Sequence, residues 1–215
     1  MSVLTAREIK RRLRLNIERD YIQSLVITPP PISYDHDSVD LRLGCFFRLP
    51  AISSTECIRP CKMDPQFIID HYSELIHRPY GRESKSDGAP DTGHESTLVL
   101  QPQHSVLAGT LEYVKMPGDV SGQILTKSSW ARIFITIESA PWIHPFYRGC
   151  LTLEISNLGN VPIALPVGEP IAQLVLEKVD TPDTFTDDII EGRYVGPVAP
   201  EAPRFRTPFS KSGGT

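Results

Sequence analysis

No stretch of this chain reaches the ~18 consecutive apolar residues that a membrane-spanning helix needs. Its first residues, broken by Arg7, Glu8, Lys10, Arg11 and Arg12, hold no apolar signal-peptide segment. A soluble, cytoplasmic protein is expected. Cysteine is scarce. Cys45, Cys57, Cys61 and Cys150 in 215 residues are too few for a disulfide scaffold and fit free thiols in a reducing compartment. Basic charge is not in excess either: 22 Lys and Arg stand against 26 Asp and Glu, a formal charge of −4. That balance offers no broad positive surface for neutralising the phosphates of a nucleic-acid polymer.

What is abundant is proline, 20 residues or roughly 9% against a usual ~5%, which breaks helices repeatedly and favours strands and turns. One helix is expected near the N-terminus. Thr5 and Glu8 form a capping-box pair, Leu4 and Ile9 are placed as its hydrophobic staple, and Ile9, Leu13 and Ile17 continue an apolar stripe. In Ser38–Gly44, Val39, Leu41 and Leu43 alternate with Asp40 and Arg42, the pattern of a half-buried strand. Residues 51–96, interrupted by Pro60, Pro65, Pro79 and Pro90, read as a loop-rich insertion. Short strands then recur at Thr97–Leu100, Ser105–Tyr113, Ser121–Leu125, Ile133–Glu138, Cys150–Asn157 and Ile171–Glu177, with turn signals such as Pro117-Gly118-Asp119 between them. Even spacing without alternating helices predicts a mainly β sandwich, jelly roll or barrel. The expected domain covers residues 1–197, followed by a flexible tail over 198–215.

Two segments concentrate polar chemistry. Lys127-Ser128-Ser129-Trp130-Ala131-Arg132 packs two hydroxyls, an ammonium and a guanidinium between apolar strands, a donor density suited to phosphate oxygens. Taken by spacing alone, a polar turn with a solvated Arg is the ordinary reading. In Cys150–Asn157, Leu151, Leu153 and Ile155 face one side and Thr152, Glu154 and Ser156 the other, which puts a carboxylate on the polar face of a strand. Gln173 sits in the strand after the Gly168-Glu169-Pro170 turn, where a structural, backbone-bonded amide is the ordinary reading.

In this order, Ser38–Gly44, Leu107–Val114, Ser128–Arg132, Leu151–Asn157 and Ile171–Leu174 resemble the successive motifs of the dCTP deaminase family, within the dUTPase-like superfamily. The resemblance spans about residues 4–197, with 51–96 aligning poorly. It implies a distorted β jelly roll assembled as a homotrimer, with three nucleotide sites at subunit interfaces. The implied activity is hydrolytic deamination of dCTP to dUTP and ammonia, with Mg²⁺ carried on the triphosphate. Glu154 matches the carboxylate that activates water, and Ser128 and Arg132 match its catalytic companions. Lys127, Ser129, Trp130, Ala131, Thr152, Leu153 and Gln173 fall at substrate-contacting positions, as do Ala140, His144, Phe185, Arg193 and Tyr194.

The chain departs from the family at several of these places. The family usually has a basic residue at Trp142, an Asp at His144 and a Gly at Phe146, and tends to have Tyr, Lys and Gln at Phe185, Arg193 and Pro197. Gly reaches backbone angles that Phe reaches only at a cost, so Phe146 is expected to redirect the turn. With His144, this favours dUTP as product with little dUMP. A homologue that binds nucleotide without turnover, and a dUTP diphosphatase or bifunctional enzyme, stay open beside it. Zinc is not expected. No His-x-Glu occurs, Pro60-Cys61 has no second cysteine three residues on, and the Cys61–His71 gap is too short for Cys57, Cys61, His71 and His77 to form a finger.

Overall fold

The computed structural model describes residues 2–51, 57–59, 62–64, 66–68, 74–80, 96–138, 142–180 and 196–201. In chain order the elements that matter here are β1 (Ser2–Val3), α1 (Ala6–Arg12), β2 (Val26–Thr28), β3 (Ser38–Leu49), β4 (Glu74–His77), β5 (Thr97–Leu100) and β6 (Ser105–Lys115). Then follow β7 (Val120–Thr126), α2 (Ser128–Ala131), β8 (Ile135–Glu138), β9 (Trp142–Ile143), β10 (Arg148–Asn157), β11 (Ile163–Pro166) and β12 (Pro170–Lys178). One large antiparallel sheet runs β8-β10-β6-β3-β12-β7-β9, with β1 on β12, β2 on β6 and β4 on β3; β11 and β5 pair separately. The sheet curls about β3, whose first half pairs with β12 and whose second half pairs with β6 and β4. The result is mainly β, as the strand spacing predicts, and a distorted jelly roll, as the resemblance implies, enclosing Leu41, Phe47, Leu100, Leu153, Ile155, Leu165 and Ile171.

β3 is not half-buried. Every residue from Ser38 to Gly44 is buried, including Asp40 and Arg42, because β3 lies inside the sheet and is covered on both faces. Its polar residues are therefore held by partners. Arg42 Nε donates to Glu112 Oε1 at 2.6 Å, and the Arg42 backbone N–H donates to the other oxygen at 2.9 Å. At Gly44 a side chain has no room: a Cβ would lie 2.6 Å from the Gly109 carbonyl oxygen on β6.

α1 begins as the capping signal indicates, with Thr5 Oγ1 accepting from the Glu8 N–H, and Leu4 and Ile9 are both buried. It stops at Arg12, so Ile17 lies outside it and is exposed. Glu8 turns forward to Arg11 and Arg12, and the hydrogen bonds from Arg11 above all hold its carboxyl down at about 2. Arg12 is buried and grips Asp119 through two bonds of 2.6 and 2.7 Å, fastening α1 to the β6–β7 turn.

Two expectations need adjustment. The 51–96 insertion contributes a strand, β4, laid against β3, and Tyr80 covers Gly168. Packing also continues past residue 197: Pro200 is buried against Gly109, and its carbonyl accepts from Arg48 at 2.8 Å. No helix among the described residues is long and apolar enough to cross a membrane.

The Arg42–Glu112 pair generates a stability prediction. Glu112→Gln leaves a buried guanidinium without its counter-charge and should cost about 3–5 kcal/mol, whereas truncating the exposed Leu75 on β4 should cost under about 1 kcal/mol. Chemical denaturation of both variants measures the contrast.

Candidate active site

The segment expected as a polar turn is a single helical turn, α2, set between β7 and β8. The Lys127 N–H donates to the Ile171 carbonyl at 3.1 Å, and the Lys127 carbonyl accepts from Trp130 and Ala131. Half-buried Trp130 donates from Nε1 to the Pro170 carbonyl at 2.9 Å. These bonds fix the turn on the start of β12 and leave Ser128, Ser129, Ala131 and Arg132 exposed. Lys127 behaves differently, because its ammonium lies 2.6 Å from Asp40, which also accepts from Ser33. Gln173 is likewise held, donating to Asp35 at 2.5 Å. Among the expected nucleotide contacts, two thus have resting partners on the hairpin over residues 33–40.

The second group lies on β10. Thr152 is half-buried and Glu154 exposed on the polar face, while Leu153 is wholly buried and supports that face from the core side. The ladder with β6 slips between Cys150 and Thr152, and at this bulge the Leu151 N–H donates to Thr110 Oγ1 at 2.9 Å. Thr110 in turn donates to the Glu112 carbonyl at 2.8 Å. Bulges redirect the side chains beside them, so Thr110 sets the course of the strand that presents Thr152 and Glu154. Its signal in the sequence is only a hydroxyl within an apolar strand.

The two groups stand at different levels of the sheet. Glu154 pairs in register with Glu138, and Ile135 pairs with Asn157 at the far end of the same ladder. Arg132 lies beyond Ile135, so about 10 Å of strand separates the level of Glu154 from the end where α2 enters.

His144 follows β9 and is exposed, its carbonyl accepting from the Tyr147 N–H at 3.3 Å. Phe146 adopts φ +63°, the left-handed conformation glycine would use there. That backbone costs about 1–2 kcal/mol for a residue with a side chain, and burial of the ring offsets it. Phe146 is 8% exposed, stacks on Tyr21 at 6.4 Å, and occupies space that Gly118 leaves open. Tyr21 is itself held by two cations that face each other across β6 and β10: Lys115 lies 4.2 Å over its ring, and Arg148 donates to its hydroxyl. Lys115 also donates to the Tyr21 and Ser24 carbonyls and to the Ser24 hydroxyl. Burial pulls its pKa down from 10.5 to about 8.

Ala140, Phe185, Arg193 and Tyr194 lie outside the described residues, as do Cys61 and His71. Cys57 is exposed, and the His77 ring stacks on Phe46 at 4.8 Å. No three His, Cys, Asp or Glu side chains converge as a metal-binding group among the described residues.

Fold and exposed polar groups together define a jelly-roll protein with a carboxylate on one strand and a hydroxyl- and guanidinium-bearing turn beside another. A family model described as dCTP deaminase-like matches residues 3–179, and the chain belongs to that family. It is 30% identical to the dCTP deaminase, dUMP-forming, of Methanothermobacter thermautotrophicus, over 97% of this chain and 96% of that protein. It is 36% identical to the protein of the same name from Nanoarchaeum equitans, over 75% and 81%. With that from Mycobacterium ulcerans the figures are 31%, 81% and 84%. The crystal structure of 2′-deoxycytidine 5′-triphosphate deaminase from Agrobacterium tumefaciens shares the fold, with a TM-score of 0.54 at 18% identity. The match covers 82% of this chain and 48% of that one, so this chain spans about half its length.

Two predictions follow from the turn at Phe146. Gly118→Ala drives a Cβ to 2.2 Å from the Phe146 ring and should cost about 1–3 kcal/mol. In a Phe146→Gly background the same change should cost under about 0.5 kcal/mol, a coupling that a double-mutant cycle reads directly. For Lys115, the unfolded chain keeps its proton between pH 8 and 10.5 while the folded chain releases it. Its contribution to stability therefore rises with pH across that window, and Lys115→Met should remove this part of the slope in denaturation curves taken from pH 7 to 10.

Proposed function

We propose that this protein is a dCTP deaminase of nucleotide metabolism, acting in the cytoplasm on a nucleotide whose triphosphate carries Mg²⁺, without a zinc of its own. The observation that carries the reading is the placement of Glu154. It is an exposed carboxylate on the polar face of a bulged strand, within the residues matched by the family. A carboxylate held over cytosine serves as base and then as acid. Glu154 takes a proton from water, the hydroxide adds to C4, and the protonated carboxyl returns the proton to N4 as the C4–N4 bond breaks. Water and dCTP become dUTP and ammonia. Ser128 and Arg132 hold the substrate and orient the carboxylate, Ser129 meets the phosphates, and Thr152 and Gln173 complete the nucleotide contacts.

The separation of Arg132 from Glu154 supports the rest of the proposal. A site needing both is completed when α2 of one subunit approaches β10 of another, in a homotrimer with three interfacial sites. Mg²⁺ is coordinated by phosphate oxygens and acts by neutralising them.

A second reading, with dUMP and pyrophosphate as final products, rests on two observations. The curated relatives named above are dUMP-forming, and Phe146 holds a left-handed turn beside His144. Separating the products of dCTP turnover decides between them: dUTP that persists supports the first, and pyrophosphate matching ammonia mole for mole supports the second.

Glu154→Gln should lower ammonia release roughly 10²–10⁴-fold with the fold intact, and Arg132→Gln should be similarly impaired. Co-refolding the two inactive chains should restore about a quarter of wild-type activity, because in a ring of randomly mixed subunits that fraction of interfaces joins an intact Glu154 to an intact Arg132. No recovery would remove the shared site, and near-normal turnover by Glu154→Gln alone would remove the catalytic assignment.

A further inference from the structure

The solvent side of α1 carries a row of cations that the proposed reaction does not use. Arg7, Lys10, Arg11 and Arg14 recur at i, i+3, i+4 and i+7, which sets them along one side of the helix and the turn that continues it. With Thr5, Glu8 and Leu15 they line an open hollow of about 810 Å³. A second hollow of about 550 Å³, lined by Thr5, Ala6, Arg7, Tyr34, Asp35 and His36, shares Thr5 and Arg7 with the first. The second lies between α1 and the 33–40 hairpin, and the first continues it along α1, so that together they form one groove.

The groove's carboxylates are already engaged. Glu8 accepts from Arg11 and Arg12, and Asp35 accepts from Gln173. Arg7, Lys10 and Arg14 have no carboxylate partner among the described residues. Lys10 rests 4.6 Å over the Tyr34 ring, which holds its ammonium toward the hairpin. In a protein of net charge −4, this concentration of positive charge runs against the overall balance. From Arg7 to Arg14 the row extends about 10 Å at the helical rise, and it meets an anion along a line and not at a point.

We propose that this groove is a second anion site, distinct from the Ser128–Arg132 turn, that binds a chain of linked phosphates, either free polyphosphate or the tail of a nucleoside triphosphate. Arg7, Lys10 and Arg14 supply the contacts, and Arg11 stays bound to Glu8. One wall of the groove is the hairpin whose Asp35 and Asp40 hold Gln173 and Lys127. The site itself stands on the groove's own residues; only the use of dCTP to block the other site rests on the proposed function.

The test is calorimetric titration of inorganic tripolyphosphate into the full chain carrying Glu154→Gln, first saturated with dCTP and Mg²⁺ so that the nucleotide site is filled without turnover. One equivalent per chain should bind at low salt. Adding Arg7→Gln, Lys10→Gln and Arg14→Gln together should weaken it at least tenfold, and circular dichroism should show the fold unchanged. A purine nucleoside triphosphate forms the second arm: tighter binding than tripolyphosphate identifies a nucleotide as the ligand, and equal binding identifies the phosphate chain alone. Absence of binding beyond dCTP, or equal affinity in the triple variant, overturns the site. The preliminary dCTP titration reports separately on the deaminase reading. A chain that ignores dCTP but binds tripolyphosphate through these three side chains keeps the groove and loses the nucleotide assignment.

Discussion

The ion pair between Arg42 and Glu112 lies where the curled sheet turns, and the rest of the structure is arranged around it. β3 is long enough to serve both halves of the sheet, pairing with β12 through its first residues and with β6 through its last. A strand in that position is enclosed on both faces, so its polar residues must find partners inside the protein. Arg42 does so with a glutamate of β6 that is wholly buried, using both side chain and backbone. Asp40, two residues earlier, does so with Lys127 at the entrance to α2. One strand therefore ties the sheet that carries Glu154 to the turn that carries Ser128 and Arg132. The same Glu112 that binds Arg42 also offers its carbonyl to Thr110, whose hydroxyl fills the β10 bulge.

Much of this was legible in the sequence because local signals and tertiary packing agree. The strands from Thr97 onward match their alternation and turn signals, and Thr5, Leu4 and Ile9 behave as a helix start demands. Where the reading fell short, the cause was tertiary. Alternation in Ser38–Gly44 describes one face of a strand, but it carries no information on whether the other face meets water or another layer. The helical stripe through Ile17 was interrupted because Arg12 turns inward to Asp119, and the chain then leaves the helix direction. β11 and β4 are too short, and lie too close to prolines and loops, for periodicity to separate them from their surroundings.

The candidate site divides along the same line. Glu154, Ser128 and Arg132 were accessible through motif order, since each lies in a segment whose pattern is local. Asp35 lies outside those segments, and Asp40 and Thr110, though inside them, read there only as strand residues; all three act through partners more than 40 residues distant in the chain. These are the residues that give Lys127, Gln173 and β10 their positions before any nucleotide arrives. Prior placement of this kind lowers the cost of ordering side chains when substrate binds.

Phe146 shows how a residue with a side chain can hold a backbone angle that glycine takes freely. The left-handed angle survives because ring burial against Tyr21 and above Gly118 offsets the strain, and because Lys115 and Arg148 fix Tyr21 from opposite strands. Each partner compensates for the others: without Gly118 the ring has no space, and without the ring the angle has no compensation. The turn that presents His144 is therefore stiffened by aromatic packing where glycine would leave it free. A histidine on such a turn has a fixed approach to whatever lies beside it.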